Sequence, residues 1–378
     1  MLGTPAALRV GTVRKLNFSG GPGALPDCVL EAASEAILEV PGQGLSLLGI
    51  SHRSPWFRDV VEEAEANLRA LLDLSRSYYV LFLQGGGTLQ FSMIPMSLLR
   101  GRAQPADYLH TGYWSGKAIP EARREGAVNV VWSGEEEGFR RLPRESELAV
   151  SAAPEYLHYI SNETVEGLQF HRVVGREDLT RICDMSSDFL SRRIDAGRFS
   201  LIYAHAQKNL GPAGVTVVLV REDLLERIPA NLPAMLDFRN HVRMGSIYNT
   251  PPVFAIYVTM LITRWLRDEV GGLQAMERLN RAKAQRLYET IDSSQGFYAG
   301  RAAVPDRSLM NVAFTLPTAE LNVRFVEQAD AEGFAGLAGH RTLGGVRASL
   351  YNGVTLEAVE ALCGFMDFFR ERYRREAL

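Results

Sequence analysis

The chain has 378 residues, too many for one ordinary core and enough for two or three domains. Its 46% hydrophobic and 22% charged residues make a globular composition, which excludes an intrinsically disordered protein. The net charge of −3 is spread over interspersed signs and no apolar stretch reaches membrane-spanning length, so neither nucleic acid nor a membrane is expected as a partner.

Residues 1–25, rich in Gly, Pro and Ala, are expected to form an extended arm. Arg9, Arg14 and Lys15 lie there without an apolar segment behind them, so the arm does not read as a secretory signal. Pro26 opens a helical pattern with Val29, Leu30, Ala33, Ala36, Ile37 and Val40 on one face. A second amphipathic helix is expected over 56–72. Short apolar runs follow at 79–83, 107–110, 128–132, 156–161, 181–185, 201–204 and 215–220. Several are apolar on both faces, as in a sheet covered by helices on each side, so an α/β fold with a mainly parallel seven-stranded sheet is expected. Thr250 before Pro251 and Pro252 reads as a helix N-cap with proline at the first helical position. Beyond it the pattern predicts helices at 271–292, 319–332 and 355–374, with strands at 311–316 and 346–351. The expected organisation is an arm (1–25), a large domain (26–270) and a smaller α+β C-terminal domain (271–378).

Cys28, Cys183 and Cys363 lie too far apart for a CxxC knuckle or a disulfide framework, and the last two fall in apolar patterns. With no secretory signal, this usage points to a soluble cytoplasmic protein. The seven histidines include no HExxH or comparable cluster, so no metal is expected. A G-x-S-x-G elbow is also missing, which leaves a serine hydrolase without support.

Four features could carry chemistry. Gln84-Gly85-Gly86-Gly87-Thr88 follows a strand and precedes a helical run over 89–99. Consecutive glycines allow close backbone approach, and a helix N-terminus offers free amides to a phosphate; a plain tight turn is the alternative. Asp184 ends a strand, where open α/β sheets bind ligands; it could hold a pyridine nitrogen protonated, or simply cap a helix. Lys208 stands among small and apolar residues beyond a strand and before a Gly-Pro turn. A desolvated lysine there has a depressed pKa and can form a Schiff base, although a lysine in a loop is often a solvated charge. The fourth feature is cationic: His52 with Arg53, and His340 with Arg341 near Arg347. Each pair could be an ordinary polar loop, but Arg347 opens an apolar strand and needs a partner, for which a carboxylate suits its fork.

Taken in order, these features closely resemble the phosphoserine aminotransferases, class V aminotransferases of fold type I that use pyridoxal 5′-phosphate. The likeness runs through Asn17-Phe18-Ser19-Gly20-Gly21-Pro22, Ile50-Ser51-His52-Arg53-Ser54, the triple-glycine loop with Leu89-Gln90-Phe91, and Thr111 to Ala118. It continues through Asn162-Glu163-Thr164, Asp184 to Arg192, Ala206 to Gly214, Ile247 to Pro252 and Gly339-His340-Arg341. The resemblance implies that Lys208 carries the cofactor and Asp184 pairs with its pyridine nitrogen. It implies Trp114 stacked on the ring, and Thr164 and Gln207 near the ring oxygen. Gly87 and Thr88 would hold the phosphate, joined by Asn249 and Thr250 from a second subunit of a homodimer with shared active sites. Arg347 would bind the substrate α-carboxylate, and His52, Arg53, His340 and Arg341 the distal anion. The implied reaction transfers the amine of L-glutamate to 3-phosphohydroxypyruvate in serine biosynthesis. A phosphorylated threonine derivative of vitamin B6 synthesis is a further substrate of some relatives. A related transaminase with another acceptor such as glyoxylate, and a non-catalytic binding protein on the same fold, are the competing expectations. Thr88 stands where some relatives have arginine, Gly20 where some have a small polar residue, and His205 where glycine is common.

Overall fold

A computed structural model describes residues 14–375; the first part of the expected arm, residues 1–13, lies outside them. The centre is a seven-stranded sheet formed by β1 (Tyr78–Leu83), β2 (Ala106–His110), β3 (Val128–Ser133), β4 (Leu157–Ile160), β5 (Arg181–Asp184), β6 (Leu201–His205) and β7 (Thr216–Arg221). Their spatial order is β1-β7-β6-β5-β4-β2-β3. Five neighbouring strands, β6 to β3, run parallel, while β7 runs antiparallel to both β6 and β1. The segment 206–215 between β6 and β7 is too short for a crossover helix, so the chain must turn back on itself. Lys208 sits in that return.

Helices cover both faces, which explains why the strands are apolar on both sides. On one face lie α1 (Asp27–Leu38), α2 (Pro55–Leu72) and α5 (Val253–Asp268); on the other lie α3 (Gly86–Leu98) and α4 (Tyr113–Arg123). Ser54 caps α2 through a bond from Phe57 N to its Oγ, 3.1 Å, and Pro55 fills the first turn where no amide donor is needed. Buried Asn67 of α2 donates to Thr263 of α5 at 3.2 Å and, with the Glu63–Arg264 ion pair at 2.7 Å, fixes the rotation of the two helices.

Two local expectations are corrected. Helix α3 begins at Gly86, not at Leu89, so the glycines belong to its first turn; Gly85 adopts φ +93°, and a Cβ there would strike Leu89 Cδ2 at 2.5 Å. Thr250 is not an N-cap. Helix α5 starts at Val253 with Pro252 before it and no side-chain cap, because a residue preceding proline is pushed out of the helical region and Pro251 precedes Pro252.

A second unit carries the three-stranded antiparallel sheet of β8 (Ala299–Gly300), β9 (Asn311–Thr315) and β10 (Val346–Ser349). It packs with α6 (Leu273–Asp292), α7 (Ala319–Ala331) and α8 (Leu356–Tyr373) around a separate, Phe-rich core. Residues Leu16–Asn17 pair in parallel with Phe334–Ala335, so the start of the described chain is stitched to this unit. No helix among the described residues is long and apolar enough to cross a membrane.

Candidate active site

The carboxyl ends of β1, β2, β4, β5 and β6 point to one edge of the large sheet, the edge at which open α/β sheets bind ligands. A cleft of about 480 Å³ opens there, lined by Gly87, Thr88, Trp114, Asp184, Gln207 and Lys208 among others. Six residues singled out in the sequence therefore share one wall.

Lys208 is buried, and its Nζ donates to Thr164 Oγ1 at 2.6 Å and to Ser187 Oγ at 3.0 Å. Those two hydroxyls also bond to each other at 2.5 Å. Burial pushes the Lys208 amine down to about 8, with the charges of Asp184 and Glu163 pulling the other way. The amine thus loses its proton far more readily than a solvated lysine, and the hydroxyls that hold it leave its lone pair usable. The Trp114 ring lies over it, 5.1 Å from Nζ to the centroid.

Asp184 is buried as well, and burial raises its pKa while Lys208 and the Ser186 amide, 2.8 Å from Oδ1, oppose the rise. A Cβ on Gly87 would stand 3.5 Å from Asp184 Oδ2, 3.1 Å from His205 Nδ1 and 3.7 Å from Tyr203 Cε2. These three side chains therefore ring the amide at the start of α3. The Gly87 N–H donates to His205 Nδ1 at 3.4 Å. Burial, then the Lys208 charge, holds His205 well below its ordinary value, so it is a neutral acceptor. His205, without an account in the sequence, thus belongs to the cleft.

Arg347 from β10 reaches the cleft's open side across Gly20. A Cβ at position 20 would fall 2.4 Å from its Nη2, so the absence of a side chain there lets the guanidinium lie against backbone. Its Nε is buried without a partner among the described residues, a donor free for a ligand. His340 packs against Tyr113, ring centroids 4.6 Å apart; burial, then the charges of Arg347 and Arg341, keeps it below its ordinary value.

Other residues were not anticipated as site residues. Ser187 shares Lys208 with Thr164, and only its place after Asp184 could have signalled it. Glu163 and Glu166 meet at the N-terminus of α4. Glu163 accepts from the amides of Trp114 and Ser115, at 3.2 and 3.1 Å, and from Thr111 Oγ1 at 3.2 Å. Glu166 Oε1 accepts from Tyr113 N at 2.9 Å, while its Oε2 has no partner among the described residues. Burial pushes both carboxyls up, Glu166 to about 8 with the charge of Glu163 assisting. Only Gly112 admits the pair, since a Cβ there would be 2.5 Å from Glu166 Oε2.

The remaining sequence candidates do not line this cleft. His52 and the exposed Arg53 lie in the loop before α2. Asn249 Nδ2 donates to Gln84 Oε1 at 3.3 Å, and Gln84 Nε2 donates to the Thr250 carbonyl at 2.8 Å, which ties this segment to the glycine loop of its own chain. Thr250 and Arg341 are exposed. Among the described residues no group of His, Cys, Asp and Glu could hold a metal ion.

Residues 15–362 match the family model described as "Aminotransferase class-V". Phosphoserine aminotransferase of Rhodopirellula baltica is 47% identical over 360 residues, covering 95% of this chain and 96% of that protein. The structure of phosphoserine aminotransferase from Bacillus circulans subsp. alkalophilus superposes with a TM-score of 0.93 at 45% identity, covering 96% of this chain and 99% of the other. A pyridoxal-phosphate-bound phosphoserine aminotransferase from Trichomonas vaginalis gives a TM-score of 0.87 at 37% identity, over 94% of this chain and 100% of that one.

Proposed function

This chain belongs to the class V aminotransferases, and within them to the phosphoserine aminotransferases; on that premise we propose that it transfers the amine of L-glutamate to 3-phosphohydroxypyruvate, yielding O-phospho-L-serine and 2-oxoglutarate. One observation carries the reading. A buried, pKa-depressed Lys208 and a buried Asp184 face one cleft beside an aromatic plate and the free amides of α3.

That set fits pyridoxal 5′-phosphate. The cofactor supplies an aldehyde that bonds to amines and a protonated ring that withdraws electrons from the bonded carbon. Lys208 would hold it, Asp184 would pair with its ring nitrogen and Trp114 would cover the ring face. Thr164 and Gln207 would bond near the ring oxygen. Gly87, Thr88 and the α3 N-terminus would take the phosphate, with Asn249 and Thr250 of a second copy. Lys208 Nζ is the base that would take the Cα proton of the amino acid, with Thr164 and Ser187 as its resting partners. Arg347 grips the α-carboxylate through its unpaired edge. His52, Arg53, His340 and Arg341 form the pocket for the distal anion, which is the γ-carboxylate of glutamate in one half-reaction and a phosphate in the other. The exposure of Arg53, Thr250 and Arg341 supports a homodimer that completes each site from two chains.

Turnover with L-glutamate as donor tests the reading. 3-Phosphohydroxypyruvate is expected to be accepted at least about a hundredfold better in kcat/KM than glyoxylate, because glyoxylate leaves the distal cations unpaired. Equal or preferred use of glyoxylate rejects the assigned acceptor.

A further inference from the structure

Beneath Asp184, on the sheet face covered by α3 and α4, lies a buried polar chain to which no role has yet been given. Tyr203 of β6 is the register partner of Asp184 on the neighbouring strand, so its side chain stands on the same sheet face beside the carboxylate. Its oxygen is 2.9 Å from Nε2 of His158 on β4. His158 and Tyr203 are both buried, and the imidazole stacks on Tyr108, centroids 4.7 Å apart and planes at 26°. Strand β5, with Asp184, runs between β4 and β6, so the chain reaches over one strand to the acid.

Burial drives His158 to about 3, so the ring is neutral and carries one N–H. Its Nδ1 has no partner among the described residues. A buried N–H without an acceptor is rarer and costlier than a lone pair without a donor, so the proton resides on Nε2. Nε2–H then donates to the Tyr203 oxygen, which leaves the phenolic hydrogen free to turn toward the Asp184 carboxylate beside it. Burial also holds the Tyr203 phenol far above its ordinary value, so it never becomes phenolate at working pH. The donor order therefore runs from His158 through Tyr203 toward the carboxylate.

In a dry site, an acid facing a pyridine nitrogen can share the proton as a neutral pair or as an ion pair. Each donor aimed at the carboxylate favours the ion pair. The Ser186 amide is one donor, at 2.8 Å, and the phenolic hydrogen of the neighbouring Tyr203 is placed to supply a second. We propose that His158 and Tyr203 are positioning residues that keep Asp184 ionised and aimed at the ring nitrogen, so that the proton of the pair stays on the cofactor. The inference rests on the cofactor reading above.

The test uses holoenzyme reconstituted with pyridoxal phosphate labelled with ¹⁵N in the ring, together with the cofactor dissociation constant read from quenching of tryptophan fluorescence. In the wild type the ring nitrogen is expected at its protonated position. Tyr203→Phe and His158→Leu should move the resonance toward the unprotonated position and weaken cofactor binding about tenfold, the loss of one hydrogen bond to a charge. His158→Gln keeps an amide donor at the Nε2 position and should stay close to wild type. An unmoved resonance in Tyr203→Phe or in His158→Leu overturns the proposal. Should a variant fail to fold, imidazole ¹⁵N shifts of the wild-type holoenzyme decide: Nε2–H is expected for His158, and an Nδ1–H tautomer overturns it. Failure of the wild type to bind pyridoxal phosphate would instead sink the underlying cofactor assignment.

Discussion

Two lysines of this chain are buried, and the regions around them have opposite designs. Lys283 on α6 serves the small-sheet unit: its Nζ donates to the carbonyls of Leu350, Tyr351 and Val354 at 3.0, 2.9 and 2.9 Å. Lys208 serves the large-sheet cleft and meets two hydroxyls. Burial pushes Lys283 down to about 7 and Lys208 to about 8, so a depressed pKa does not separate them. What separates them is the partner. Three carbonyls can only accept; they use every proton of an ammonium and pull Lys283 back toward its charged form. Hydroxyls can donate as readily as accept, so Lys208 can lose its proton without orphaning either neighbour. One lysine is a clamp for the loop after β10, and the other is a nucleophile with a cleft in front of it.

Substitution should divide them cleanly. Lys208→Ala is expected to cost at least about a thousandfold in turnover and to remove the visible cofactor band. Its urea midpoint as apoprotein should stay near wild type. Lys283→Met should do the reverse, costing about 2–4 kcal/mol in urea unfolding by leaving three carbonyls unpaired, while the folded fraction keeps cofactor affinity within about threefold. A Lys283 variant that lost the band but not its unfolding midpoint would break the comparison.

Arg347 sharpens it, being another largely buried cation with a free donor edge. Arg347→Lys should lower kcat/KM for glutamate about a hundredfold, since a point charge cannot replace the fork, and it should leave the cofactor spectrum unchanged. The smallest effect is expected at Glu166, the buried group of opposite sign. Its folded pKa is raised to about 8 from 4.5, mainly by burial, so the folded state holds a proton that the unfolded chain has lost. Stability from this group therefore falls as pH rises from about 4.5 to 8. Glu166→Gln should match wild type near pH 5 and exceed it by about 1–3 kcal/mol near pH 9, measured by urea unfolding. A constant difference across pH would show that Glu166 is already ionised.

The contrast between the lysines also marks how far the sequence could be read. Lys208 was legible because its neighbours are small and apolar, it follows a strand, and Asp184 precedes it on the adjacent strand. Lys283 sits in the amphipathic pattern of an ordinary helix, and its burial depends on a loop some seventy residues away that no local pattern announces. The strands were read within about two residues, yet the reversal of β7 follows from the length of the 206–215 return, which apolar runs alone do not register. His158 was hidden inside an apolar run, where a histidine looks like filler. Thr250 was misread because its side chain suits a cap, whereas the two prolines after it decide where the helix can begin. Glu166 gave no signal, because its burial beside Glu163 requires Gly112 and the start of α4 to close on the pair from about fifty residues upstream.

The assignment of the nucleophile can be tested in one step. Borohydride reduction of the holoenzyme fixes the cofactor to whichever lysine holds it, and peptide mass mapping identifies that lysine. The phosphopyridoxyl mass is predicted on the peptide containing Lys208 alone; the same mass on Lys283, or on any other lysine in place of Lys208, would contradict the account.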